Sequence, residues 1–264
     1  MKLTTKLLLL AGMFTAIPAW SIPVLQVGAP AGSGDLGIYA DYQISTTNPS
    51  EANTAITSGG AIYVAGVYGP NVVNLGGQYS TGNNWSFFNL PTDFDTHDAV
   101  LVVSVPDGSL ASVLASLKVG GNLAFYSSAT DSFFPNNHDP VKSGVSDFLF
   151  FDIGNFTNNA NVVPDFDDET GAADGEIKSL LLSGFGTLPW IHIDVMALET
   201  SELGGNNNTR IVTALEGNPA SHDVTWKNPD TPDDPGGDVP EPGILLLLGA
   251  GLMGMGLARR RKPA

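Results

Sequence analysis

The chain has no cysteine in its 264 residues. Disulfide cross-links, thiol nucleophiles and thiolate metal sites are therefore excluded. Basic residues are almost as scarce. Of 11 lysines and arginines, Lys2 and Lys6 stand near the N-terminus and Arg259, Arg260, Arg261 and Lys262 near the C-terminus. Between Ile22 and Asp238, Lys118, Lys142, Lys178, Arg210 and Lys227 stand against 26 acids, a net charge of −21. Such a surface repels phosphate backbones, so nucleic acid is not expected as a partner, and it attracts hard cations, Ca²⁺ in particular. The sequence also lacks a G-x-S-x-G elbow, a phosphate-binding loop and an H-E-x-x-H helix, so no catalytic constellation is recognisable and no enzymatic activity is expected.

What the chain has in abundance is turn chemistry. Its 31 glycines and 18 prolines are joined by asparagine-rich stretches such as "TGNNW", "FTNNANVVP" and "GGNNNTR". Glycine supplies positive φ, asparagine tolerates it and proline presets φ. Between these turns lie about nine strand-like segments: "LGIYADYQI", "AIYVAGVY", "AVLVVSV", "NLAFYSS", "VSDFLFFDI", "EIKSLLLSG", "WIHIDVMAL", "TRIVTAL" and "HDVTW". "AVLVVSV" is nearly all apolar, as a strand covered on both faces should be. One segment differs. Leu110, Val113, Leu114 and Leu117 follow helical spacing behind Ser109, a candidate N-cap, and predict a short helix within 110–119. The expected fold is all-β: a single β-sandwich over 22–227, with a jelly roll as an equal fit, and one short helix.

The two ends read differently. Residues 1–21 carry lysines, then an apolar core, then the small residues Ala19 and Ser21 at alternate places; this reads as a secretory signal peptide with cleavage expected between Ser21 and Ile22, cleavage after Ala19 or a retained membrane anchor being the alternatives. Residues 228–238, "NPDTPDDPGGD", form a Pro/Asp-rich extended linker. The uncharged run 243–258 follows. As a helix it spans ~24 Å, slightly short of a ~30 Å hydrocarbon core. Arg259, Arg260 and Arg261 behind it would hold the C-terminus in the cytoplasm and leave the acidic body outside.

The order Pro240-Glu241-Pro242, short apolar helix and arginine cluster over 239–264 resembles the PEP-CTERM sorting signal. The resemblance implies an exosortase-type membrane protease as partner, transient anchoring in the inner membrane through the C-terminal helix, and delivery to the cell surface or outside it. It also implies an exopolysaccharide-secreting bacterium. The segments "IPVLQV", "DGEIKSLLLSGF" and "NPASHDVTWK" resemble the choice-of-anchor N proteins, a name that carries no activity.

The sharpest candidate site is "DFDDETGAADGE", 165–176. Asp165, Asp167, Glu169 and Glu176 occupy the first, third, fifth and twelfth places of a loop similar to an EF-hand, and could converge on Ca²⁺. Thr170 stands where the sharp-turn glycine belongs, so a true EF-hand is not expected. A solvated acidic turn is the bland alternative. His192 and Asp194 point to one face of a strand whose other face carries Ile191, Ile193 and Val195; an ordinary outward-facing pair is expected there, with a Zn²⁺-ligating pair or a base and its orienter as the alternative. The pairs around His97 and His138 are similar. Trp85, Phe87, Phe88, Tyr39, Tyr63, Tyr68 and Tyr126 could supply a sugar-stacking platform or simply fill the core. These readings favour a secreted, non-enzymatic surface or exopolysaccharide-matrix protein. A calcium-dependent carbohydrate-binding module and a glycan hydrolase or lyase are the alternatives.

Overall fold

The structure, a computed structural model, describes residues 22–230 apart from 31–35, 37–38, 46–47, 131–132, 136–139 and 206–208, with the backbone path alone for 39–45 and 48–52. The expected signal peptide, most of the linker and the whole sorting segment, with Ser21, Pro240, Glu241, Pro242 and Arg259 to Arg261, lie outside the described residues.

The described chain is overwhelmingly β. Its strands are β1 (Leu25–Gly28), β2 (Tyr39–Ser45), β3 (Asn48–Thr57), β4 (Ala61–Val67), β5 (Val72–Gly76), β6 (Val100–Pro106), β7 (Lys118–Val119), β8 (Tyr126–Ser128), β9 (Ser146–Asp152), β10 (Asn159–Val163), β11 (Ala173–Ser183), β12 (Trp190–Leu203), β13 (Arg210–Gly217) and β14 (Val224–Lys227). A smaller sheet runs β1-β4-β11-β10, with β7 added to the end of β11. A larger one runs β2-β3-β14-β12-β6-β9-β8. Strand β12 is its spine: the first half pairs with β14 and β6, the second half with β13 and β5. All these pairings are antiparallel except β14 with β3.

The period of two decides the layers. In β6, Leu101, Val103 and Val105 enter the main core, while Val100 and Val102 enter a second cluster on the opposite face. Phe148 and Phe150 of β9 separate from Leu149 and Phe151 in the same way. The main core also takes Leu25, Val27, Ile62, Val64 and Leu182 from the smaller sheet, so both sheets contribute to it. The second cluster is capped by two 3₁₀ turns, Trp85–Phe88 and Thr92–Thr96, which insert Trp85 and Phe94. The larger sheet is thus covered on both faces, which is why its central strands carry so little polar alternation. A third cluster lies on the smaller sheet, where Phe166 packs with Ala65, Val67 and Val163.

The expected helix is much shorter than its periodicity suggests. The α-helix α1 covers Leu110–Val113 only, and Lys118 and Val119 leave it to pair with Ser183 and Leu182. The next crossing is tight: Gly184 has φ +79°, and a side chain there would collide with the Ser116 carbonyl oxygen. Strand pairing has therefore overridden local helix spacing. Ser109 is not a side-chain cap either; the Leu110 N–H donates instead to Asp147 Oδ2 at 2.8 Å, a cap supplied from β9.

One pH effect arises from the β12–β13 pairing. Glu216 lies opposite Ala197 and Glu199 opposite Ala214, which makes the two glutamates diagonal neighbours. Loss of water around Glu216, then repulsion from Glu199, raises its carboxyl above the ordinary 4.5. The folded state therefore holds this proton more tightly than the unfolded chain does. The associated stability is fully present below the unfolded value and is lost as pH rises through the folded one. Glu216→Gln is expected to raise the melting temperature at neutral pH and to leave it nearly unchanged well below pH 4.5. An equal shift at both pH values would assign the effect to packing instead.

Candidate functional site

The densest polar arrangement lies where the sequence suggested an ordinary surface pair. Ile191, Ile193 and Val195 of β12 enter the main core as expected. His192 and Asp194 on the other face are not outward-facing: both are fully buried at 0% exposure. The correction follows from the sheet's second cover, which turns its outer face into another interior.

Three strands bring polar groups together here. The β6 register sets Ser104 opposite His192, and the β14 register sets Thr225 opposite it on the other side. Asp223, just before β14, is also fully buried. His192 Nε2 lies 3.2 Å from Asp194 Oδ2 and 3.8 Å from Asp223 Oδ2. Its Nδ1 is 3.1 Å from Thr225 Oγ1, which in turn is 3.0 Å from Thr54 Oγ1. Asn218 Nδ2 donates to Asp194 Oδ1 at 3.0 Å, and Asn218 Oδ1 accepts from the Val195 N–H at 2.7 Å. One donor atom from each of His192, Asp194 and Asp223 lies within 4.8 Å of the other two, a spacing that can hold a metal ion. Asp223 was absent from the sequence reading. The available signal was the recurrence of polar residues at alternate places, His-x-Asp in β12 and Asp-x-Thr running into β14, beside strands otherwise too apolar to be half exposed.

The acidic loop is arranged differently from the expected calcium shell. Asp165 Oδ1 turns inward to His222 Nε2 at 2.8 Å. Asp167 donates its N–H to the same Asp165 oxygen at 3.1 Å. Glu169 Oε1 accepts from the Leu36 N–H at 2.9 Å. Glu176 Oε2 accepts from the Thr157 N–H at 2.7 Å and lies 3.5 Å from Lys178 Nζ. The carboxylates of Asp165, Glu169 and Glu176 are thus each turned to a different partner. Asp168, not proposed as a ligand, closes the turn by accepting from the Thr170 hydroxyl and N–H, and these bonds hold its carboxyl below the usual range.

The remaining candidates are distributed. His97 Nδ1 is 2.9 Å from Asp152 Oδ2, and its ring stacks on Phe125. His138 lies outside the described residues. The aromatic residues do not share one platform. Trp85 is buried and donates Nε1–H to the His97 carbonyl at 3.0 Å. Tyr68 donates its hydroxyl to the Phe156 carbonyl at 2.7 Å, and burial raises its phenol above the ordinary value. Tyr126 packs in the second cluster. Phe87 is the largely exposed one among the described side chains of this set, at 64%, and lines an open groove of about 410 Å³ with Thr81, Asn83, Arg210 and Thr213; the side chain of Tyr39 lies outside the described residues.

No curated protein and no solved structure matches the chain, so the likeness of the body to choice-of-anchor N proteins has no support from a relative. One family model does match, over residues 238–262, and its description is the PEP-CTERM protein-sorting motif. The chain therefore carries the sorting motif read from Pro240, Glu241, Pro242 and the arginine cluster, which implies export, transient membrane anchoring and processing by an exosortase-type system.

Proposed function

We propose that this is a non-enzymatic surface or extracellular-matrix protein: an acidic two-sheet ectodomain, built as a β-sandwich, that an exosortase-type protease releases from a temporary anchor. The observation that carries this reading is the sorting motif at 238–262, which follows directly on the acidic, proline-rich segment after β14. The burial of His192, Asp194 and Asp223 supports a non-catalytic body, because a polar cluster closed to water is equally closed to a substrate. The high negative charge suits a hydrated extracellular setting and keeps the released body soluble.

Two epitope tags test the proposal, one after Ile22 and one after Ala264. In cells with a working sorting system, the released or surface protein is expected to keep the first tag and lose the second. Pro240→Ala with Pro242→Ala is expected to preserve the C-terminal tag, since these residues interrupt regular helix at the outer end of the anchor. Retention of both tags by the mature unaltered protein would establish a permanent tail anchor instead.

A second reading, carbohydrate binding, is favoured by the Phe87 groove. An exposed aromatic ring beside Asn83, Thr81, Thr213 and Arg210 combines a flat apolar face with amide, hydroxyl and guanidinium hydrogen-bonding groups, as sugar rings require. A glycan array run with the protein and with Phe87→Ala separates this from a passive matrix role. Glycan signals abolished by the substitution support it; signals of equal strength from both proteins oppose it.

A further inference from the structure

We propose that His192, Asp194 and Asp223 bind one divalent first-row transition cation, of the Zn²⁺ or Mn²⁺ class, as a buried structural clamp between β12 and the start of β14. The geometry is the first support. Metal–ligand bonds of ~2.0–2.2 Å place neighbouring donors of a tetrahedral shell roughly 3.3–3.6 Å apart. His192 Nε2 already stands 3.2 Å from Asp194 Oδ2 and 3.8 Å from Asp223 Oδ2, close to that spacing, and donor atoms of all three residues lie within 4.8 Å of one another.

The surrounding hydrogen bonds point the donor atoms inward. With Nδ1–H donating to Thr225 Oγ1, the lone pair of a neutral imidazole lies on Nε2, toward the two carboxylates. The Thr54 hydroxyl, 3.0 Å from that of Thr225, continues the chain of support. Asn218 Nδ2 occupies Asp194 Oδ1 and leaves Oδ2 facing His192, while the Val195 N–H fixes Asn218. Outer partners of this kind orient ligands in metal sites.

An independent observation comes from Ser104. It is fully buried, its hydroxyl has no hydrogen-bond partner among the described residues, and the β6–β12 register places it directly opposite His192 on the same face. That oxygen can serve as a fourth donor or hold a metal-bound water. Trp190 Nε1, on the same face of β12, is likewise buried without a partner among the described residues and could donate to such a water. The ligand types argue in the same direction. Two carboxylates and an imidazole are a donor set that a divalent cation of this class accepts. Ca²⁺ fits less well, because it takes six to eight oxygen ligands whereas this site offers a nitrogen and a few oxygens. Complete burial makes the clamp structural, with no position open to a substrate.

The experiment uses the full chain, purified in detergent without added metal. Elemental analysis should find about one Zn or Mn per chain. Unfolding in EDTA, then refolding with Zn²⁺, Mn²⁺, Ca²⁺ or no metal, should restore the highest melting temperature with Zn²⁺ or Mn²⁺. Refolding with Co²⁺ should give visible bands from imidazole and carboxylate coordination. Asp223→Asn keeps the shape but removes a charge, and should lower metal affinity at least ~10-fold; Asn218→Ala should lower it ~10–100-fold through Asp194. Asp165→Asn should leave the metal content unchanged. The proposal is overturned if the unaltered protein contains no metal and melts identically under all refolding conditions. It is also overturned if folded Asp223→Asn retains the full metal content. Should that variant not fold, the refolding series on the unaltered chain decides alone.

Discussion

Phe94→Ala is expected to destabilise the protein by about 3–5 kcal/mol, the range for deleting a fully buried aromatic side chain. Phe94 is 0% exposed although it comes from a single 3₁₀ turn, Thr92–Thr96, which has little stability of its own. Its ring meets Trp85 at 6.0 Å, Phe125 at 5.0 Å, Tyr126 at 5.3 Å, Phe133 at 6.3 Å and Phe150 at 5.2 Å between centroids. Four of these contacts are edge-to-face, the geometry in which aromatic pairs add ~0.5–1.5 kcal/mol beyond buried area. The same ring attaches the cover to the larger sheet through Phe150 of β9. For a body of this size, a loss of that order lowers the melting temperature by roughly 10 °C. Phe94→Leu, which keeps much of the volume but no ring edge, should cost distinctly less. Urea denaturation that finds a loss below about 1 kcal/mol for the alanine variant would mean that the second cover contributes little to the fold.

The cover also explains which parts of the structure were legible in the sequence. β4, β6, β9, β12, β13 and β14 were readable because apolar residues recur in strand-length runs between turn signals. β3 was not: "NPSEANTAIT" is polar and carries a proline at its second position, and its place in the sheet comes from pairing with β2 and β14. β1 is only four residues long, and β7 only two, too short for any periodicity. The site was half legible. His192 and Asp194 share one face, and that face also carries Met196 and Leu198, which pack in the second cluster with Trp85 and Phe94 about a hundred residues earlier. Asp223 joins them through a register between β12 and β14 that local sequence does not contain. In the acidic loop the spacing resembles a ligand set, while the hydrogen bonds of its carboxylates, Asp165 to His222 and Glu169 to a backbone amide far along the chain, come from tertiary contacts that spacing does not encode.

Gln26→Leu is expected to destabilise the protein by about 1–3 kcal/mol or somewhat more, because it strips the buried Phe166 amide of its partner and the half-buried Pro164 carbonyl of its donor. Alternation in β1 sends Leu25 and Val27 to the main core and leaves Gln26 on the opposite side, where it is nevertheless 0% exposed. What buries it is the acidic loop. Gln26 Nε2 donates to the Pro164 carbonyl at 3.1 Å, and Oε1 accepts from the Phe166 N–H at 2.8 Å. One side-chain amide thus substitutes for a strand partner and holds the loop on the smaller sheet while Phe166 plugs into the third cluster. Leucine preserves the bulk but offers neither a donor nor an acceptor. Hydrogen exchange should localise the damage, with protection of the Phe166 amide lost before that of β12. Gln26→Glu supplies the sharper test. A carboxylate still accepts from Phe166 but turns a second oxygen toward the Pro164 carbonyl and adds a buried charge beside Asp165. Protonation restores an O–H that can donate to Pro164. The glutamate variant should therefore be markedly unstable near neutral pH and recover toward the unaltered protein as pH falls through its raised folded pKa toward the ordinary glutamate value of about 4.3. A pH-independent loss, or a Phe166 amide that stays protected in the leucine variant, would show that the loop is held by Phe166 packing and the Asp165–His222 contact rather than by Gln26.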